Sequence, residues 1–113
     1  MKDKDLLSSR EEALKLYDAY KPLLSDEAVD RFEEYYCDDL SLSEIAESRG
    51  VSRSAVYDGL HKTLRKMFDY EKKLGLVAKR EKVDEIVEIC QNEKGEKREE
   101  ALKKLWEVLK DAI

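Results

Sequence analysis

Apolar residues recur along the chain at spacings of three and four with polar residues between them, and this helical period holds from the first segment to the last. Ser9-Arg10-Glu11-Glu12 reads as a capping box, and the segment it opens places Ala13, Leu14, Tyr17 and Tyr20 on one stripe before Pro22 ends it. Ser25, followed by Asp26 and Glu27, starts a second helix with its acids at the positive end of the dipole. Its apolar face is Ala28, Val29, Phe32, Tyr35 and Tyr36, and Cys37-Asp38-Asp39-Leu40 then makes a polar corner. Ser41-Leu42-Ser43-Glu44 is a second capping box and opens a short helix carrying Ile45 and Ala46. Gly50 interrupts that helix and Ser52 caps a fourth. No breaker follows until Gly75, so the fourth helix is expected to run about 22 residues, roughly 33 Å. Val56, Leu60, Leu64, Met67 and Leu74 lie along it.

Beyond Gly75, Leu76, Val83, Ile86, Val87 and Cys90 mark a fifth helix, and Asn92-Glu93-Lys94-Gly95 a turn. Ala101, Leu102, Leu105, Trp106, Leu109 and Ile113 mark a sixth. Both stripes are narrow and cannot bury themselves alone, so this hairpin is expected to pack on the first four helices or on another subunit. The expectation is an all-α protein of about six helices: a domain over residues 1–75 with a long fourth helix, and a C-terminal helical hairpin over 76–113. Apolar stripes on helices four to six exceed what one small core covers, which points to a homodimer.

Composition agrees with this pattern and narrows it. Leu, Ile, Val and Phe number 28 of 113, enough for a core in a chain whose charged residues reach 43%. Four Gly and one Pro are too few for the tight turns of a β-sandwich or barrel. Met1-Lys2-Asp3-Lys4-Asp5 has no apolar run behind it, which argues against a signal peptide, and no stretch is long and apolar enough for membrane insertion. A cytoplasmic protein is expected. Cys37 and Cys90 lack any C-x-x-C partner and read as two buried free thiols. With His61 the single histidine, no zinc-ligand set exists and no metal or other cofactor is expected. The chain also lacks a Gly-rich phosphate loop, so catalysis is not expected.

Residues 42 to 61 carry the most information, because they fit a helix-turn-helix. Ala46 gives the small side chain needed where the first helix crosses the second. Gly50, four residues on, permits the left-handed backbone of a sharp turn. Val51 and Val56, with Ile45, supply the apolar wedge between the helices. In this geometry the first turn of the second helix enters the major groove of duplex DNA. Here that turn exposes Ser52, Arg53, Ser54 and Tyr57. Arg53 has the fork that reads guanine bidentately, and Ser54 can contact a base edge or a phosphate. Asp58 faces the same surface and is unwelcome near phosphate unless it orients Arg53 or Lys62. His61 is expected to sit half-exposed beside the groove, and Lys62, Arg65 and Lys66 to continue the contact surface.

Net charge first argues against nucleic acid, since the whole chain carries -5. Its distribution argues otherwise. Residues 1–51 hold seven basic and fourteen acidic side chains, whereas residues 52–74 hold six basic and three acidic. The remaining residues hold nine and ten. The one cationic stretch coincides with the recognition helix and its extension, as a reader of polyanion requires.

The string YYCDDLSLSEIAESRGVSRSAVYDGLHKT, Tyr35 to Thr63, closely resembles the YlxM family of small bacterial proteins, with its Tyr-Tyr-x-Asp-Asp-x-Ser-Leu-x-Glu-Ile-Ala core and Gly-Val-Ser-Arg-x-Ala-Val-Tyr-Asp continuation. Asp69-Tyr70-Glu71-Lys72-Lys73-Leu74-Gly75-Leu76 also looks like that family's helix end, and the likeness covers about residues 6–76. More distantly, the helix pair resembles region 4 of sigma factors, including the Lys62-x-Leu64-Arg65-Lys66 tail. Gly59 departs from that pattern, where sigma-type recognition helices carry a larger apolar residue. The resemblance implies a DNA-binding regulatory protein. It also implies, as the alternative, an accessory of the signal recognition particle pathway acting through contacts with the particle's protein or RNA components.

Overall fold

Serine hydroxyls and left-handed glycines set most of the helix ends. The structure is a computed structural model that describes residues 9–112. Among the described residues there are six α-helices and no strand: α1 (Arg10–Tyr20), α2 (Asp26–Tyr36), α3 (Leu42–Arg49), α4 (Arg53–Leu74), α5 (Leu76–Asn92) and α6 (Glu96–Ala112). The readings placed on Met1–Asp5 and on Ile113 lie outside the described residues. Pro22 sits in a short 3-10 turn, Lys21–Leu23, that continues from the end of α1.

Ser25 and Ser41 take extended backbone angles with ψ of 158° and 161°, which aims each hydroxyl back over its own first turn. Ser25 Oγ accepts from the Ala28 amide at 3.2 Å. At Ser41 the box is reciprocal: its Oγ accepts from the Glu44 amide at 3.0 Å, and Glu44 Oε1 accepts from the Ser41 amide at 2.9 Å. Such caps are worth about 1 kcal/mol each. Ser52 Oγ likewise accepts from the Ala55 amide. Ser9 behaves differently. Its ψ is 74°, its side chain caps no backbone amide, and its hydroxyl donates instead to Glu12 Oε2 at 3.1 Å, so the expected capping box gives way to a bond between the two side chains.

The chain divides into two compact units at Leu74/Gly75. In the first, α4 is the central helix and α1, α2 and α3 all pack on it. Val56, Leu60, Leu64 and Met67 form its buried stripe, meeting Leu16 and Tyr20 of α1, Phe32 and Tyr36 of α2, and Ile45 of α3 in one core of fully or nearly fully buried side chains. The periodic reading of α1 chose Leu14, which is half-buried, and passed over Leu16, which is buried. Aromatic rings fill much of the space: Tyr17 stacks on Phe32 at 4.1 Å between centroids, and Phe32 lies 4.5 Å from Tyr36. Polar tips of this cluster are satisfied at its edge, with Tyr17 Oη donating to Glu33 and Tyr20 Oη to Glu71.

Gly75, with φ of +62°, ends the long helix at the expected position. In the second unit α5 and α6 pack on each other as a hairpin. Gly95, at φ +68°, turns the chain between them. Ile86 and Ala101 are buried, whereas Ile89, Leu102, Trp106 and Leu109 are exposed.

The two cysteines are free thiols, as expected, but they are not buried. Cys37 is exposed because it is the C-cap of α2, one residue past buried Tyr36, where the helix has turned it off the core face. Cys90 is half-buried in α5, a helix that buries Ile86 alone. None of the helices described is long and apolar enough to cross a membrane.

Candidate nucleic-acid interface

The helix-turn-helix is built as its sequence requires. Ile45 is fully buried, with Ala46 and Val56 nearly so, which lets α3 and α4 approach closely. Gly50 takes φ +67° and ψ 33°, with its amide directed at the carbonyls of Ala46 and Glu47. The Val51 amide reaches back to the Ala46 carbonyl at 3.0 Å, closing the paired bonds of a Schellman end. Val51 itself does not join the wedge. It follows the left-handed residue, at the outside of the corner, and 47% of its surface is exposed. Arg49, the last residue of α3, donates through Nε and Nη2 to Glu34 Oε1 at 2.9 and 2.7 Å, which ties α3 to α2.

The expected contact residues divide into three groups on α4. Ser52, Arg53 and Ser54 are exposed at its start, and Lys62, Arg65 and Lys66 are exposed further along. From Arg53 to Lys66 the helix rises about 20 Å. Tyr57 is half-buried rather than exposed. His61 is a correction: it is buried, only 8% exposed, with its ring nearly parallel to that of Tyr57 one turn earlier. The core-facing sector of α4 is wide enough to take in both rings. His61 therefore belongs to the packing and not to the contact surface.

Ion pairing separates α4 from the rest of its unit. Every described cation that precedes it is engaged: Arg10 with Asp39, Lys15 with Glu11, Lys21 with Glu33, Arg31 with Glu27 and Arg49 with Glu34. Among the described residues no carboxylate pairs with Arg53, Lys62, Arg65 or Lys66. The acidic excess of the first half is thus spent partly on its own bases, while the bases of α4 stay available. Asp58, exposed between Arg53 and Lys62, is the carboxylate that stands among them.

One residue that sequence reasoning missed lies on α2. The Arg31 guanidinium lies so close over Gly59 that a β-carbon there would stand 2.6 Å from its Nη1 and 2.7 Å from its Cζ. An open cleft of about 610 Å³ lies alongside, bordered by Ser25, the cap of α2, by Arg31 from α2, and by Asp58, Gly59, Lys62 and Lys66 from α4. The signal was present in the sequence: glycine inside a long helix costs about 1 kcal/mol relative to alanine and usually marks a close approach.

Comparison with known proteins agrees with this architecture. The family described as "Putative helix-turn-helix protein, YlxM / p13 like" (UPF0122) matches residues 7–108. A UPF0122 protein of Halalkalibacterium halodurans is 47% identical over 73 residues, covering 65% of this chain and 67% of that one. One from Mycoplasma capricolum is 46% identical over 77 residues, covering 68% of each. A UPF0122 protein of Streptococcus gordonii is 51% identical over 59 residues, 52% of this chain and 54% of its own length. The chain thus aligns with roughly half to two thirds of the length of these relatives.

Proposed function

The chain belongs to the UPF0122 family of YlxM/p13-like helix-turn-helix proteins, and on that premise we propose that it is a regulatory protein that binds duplex DNA through α4. The observation that carries this reading is the pairing asymmetry: the bases of α1 to α3 are held by carboxylates, and Arg53, Lys62, Arg65 and Lys66 are not. A base already neutralised by its own chain releases no counterion from DNA, whereas an unpaired one does.

The roles divide along the helix. Arg53 and Ser54, in the first turn, reach base edges in the major groove. Lys62 stands nine residues on, about 14 Å away, a separation that suits a groove about 12 Å wide. It and Lys66 therefore meet backbone phosphates at the groove's rim, with Arg65 beside them. Tyr57 supports the first turn from its half-buried position. Few cations take part, so one copy binds weakly and two copies on adjacent half-sites bind usefully.

The test is selection of bound sequences from a mixed pool of random duplex DNA and structured RNA by the purified protein, followed by titration of the winners against salt. Enrichment of a duplex motif is expected, with log K falling by about 3 per decade of salt for the three phosphate contacts of each copy. Absence of salt-sensitive binding to duplex even at low salt would remove the reading. Enrichment of RNA alone would redirect it to an RNA ligand.

A further inference from the structure

The geometry points to the cleft between α2 and α4 as a seat for a backbone phosphodiester, with Arg31 as its inner ligand. The inference rests on the nucleic-acid reading above and extends it to a second helix outside the helix-turn-helix.

Three positive side chains border the cleft from two helices: Arg31 from α2, and Lys62 and Lys66 one turn apart on α4. The two lysines pair with no carboxylate among the described residues. Arg31 is held in place from both sides. Its Nη2 donates to Glu27 Oε1 at 3.0 Å, and its guanidinium leans on the bare backbone of Gly59. Its side chain is 17% exposed while that of Glu27 is 74% exposed, so the arginine is pre-positioned by a carboxylate that water already screens. Asp58 also borders the cleft and Glu27 pairs with Arg31, so three bases against two carboxylates leave a net +1. That sum suits a singly charged phosphodiester better than a carboxylate-rich or neutral ligand.

Gly59 acquires a purpose in this arrangement. A β-carbon there would force the flexible end of Arg31 outward without disturbing any backbone. The helix interior would tolerate alanine well and even favour it. Glycine at that position makes sense if the guanidinium has to lie deep in the cleft, close to the two lysines.

Two variants test the idea, Arg31→Gln and Gly59→Ala, each titrated against duplex DNA, single-stranded oligo-dT and a structured RNA across a range of salt. Arg31→Gln is expected to weaken binding about three- to tenfold for every sequence alike, the signature of a lost phosphate contact, while changing the log K against log salt slope by much less than the roughly 0.9 of an unpaired base, because Arg31 already pairs with Glu27. Gly59→Ala is expected to unfold at the same or a higher temperature while losing affinity in the same sequence-independent way. Stability up with affinity down is a combination that a merely structural role would not produce. Duplex binding with both variants equal to the native chain would overturn the phosphate seat and leave the recognition helix standing. Binding confined to oligo-dT or RNA, still weakened by Arg31→Gln, would support the seat and overturn duplex recognition. No binding to any of the three would overturn both.

Discussion

Arg49 and Glu34 join the first helix of the helix-turn-helix to the helix before it, through two donors on one carboxylate oxygen at 2.9 and 2.7 Å. Both side chains are about three-quarters buried, so solvent screens the pair only partly. Replacing Arg49 with alanine is expected to lower unfolding free energy by about 1–2 kcal/mol. Because this arginine is already paired, the same variant should leave the salt slope of nucleic-acid binding unchanged. Denaturant unfolding and a salt titration on one sample check both halves.

Gly50 sits at φ +67° with open space where a β-carbon would go. Gly50→Ala is therefore strained through the backbone alone and should cost about 1–2 kcal/mol. Gly50→Asn should cost less, since asparagine visits the left-handed region more readily. Equal loss in the two variants, measured by urea unfolding, would count against the turn as the source.

Arg53 and Lys66 should fail in different ways. Arg53→Ala is expected to relax preference at one or two base positions, by about 1–3 kcal/mol of discrimination. Lys66→Ala should weaken all sequences alike and flatten the salt slope by about 0.9. A competition assay with a panel of single-base variants separates the two.

Glu33 accepts from Tyr17 Oη at 2.5 Å and from Lys21 Nζ at 3.2 Å. The tyrosine bond first, and the lysine second, hold its carboxyl below the usual carboxylate range. A carboxylate depressed in the folded state adds stability above its unfolded pKa, and that stability drains away as pH falls through the folded value. Tyr17→Phe should accordingly be less stable than the native chain at neutral pH, with the gap closing on acidification below the ordinary range for glutamate. Thermal unfolding of both proteins from pH 7 downward reads the gap directly.

Leu102, Trp106 and Leu109 form an exposed apolar row on α6, flanked by Glu99, Lys103, Glu107 and Lys110. Acid and base alternate along that flank, so a second copy running the opposite way would meet opposite charge. We expect a homodimer through this row. Trp106 is the chain's single tryptophan, so its emission should shift to the red as the protein is diluted and the dimer parts. A monomer in sedimentation at micromolar concentration, with emission independent of dilution, would remove the expectation.

Much of the fold was legible because it depends on punctuation. Ser25, Ser41 and Ser52 start helices in the structure where they start them in the sequence, and Gly50 and Gly75 end them. What stayed hidden depends on how far a core extends around a helix. An imidazole at position 61 looks polar in a pattern, yet it lies within the buried sector because Tyr57 beneath it already widens that sector. Cys37 and Val51 look apolar, yet Cys37 stands one residue past buried Tyr36, and Val51 follows the left-handed Gly50 beyond the end of α3. Arg31 could not be placed, since a contact between α2 and the middle of α4 leaves no local trace except a glycine with no turn to make.

The contrast between paired and unpaired bases also gives the helical unit an electric dipole moment. Its α1–α3 body carries the surplus of carboxylates, and its free positive charge lies along α4. A polyanion repels the first and attracts the second, and so exerts a torque before any atoms touch. Diffusional encounters would then arrive with α4 already turned toward the strand, and most wrong faces would be rejected at a distance. Added salt erases that turning over about a Debye length, so ionic strength should slow association more than it hastens release.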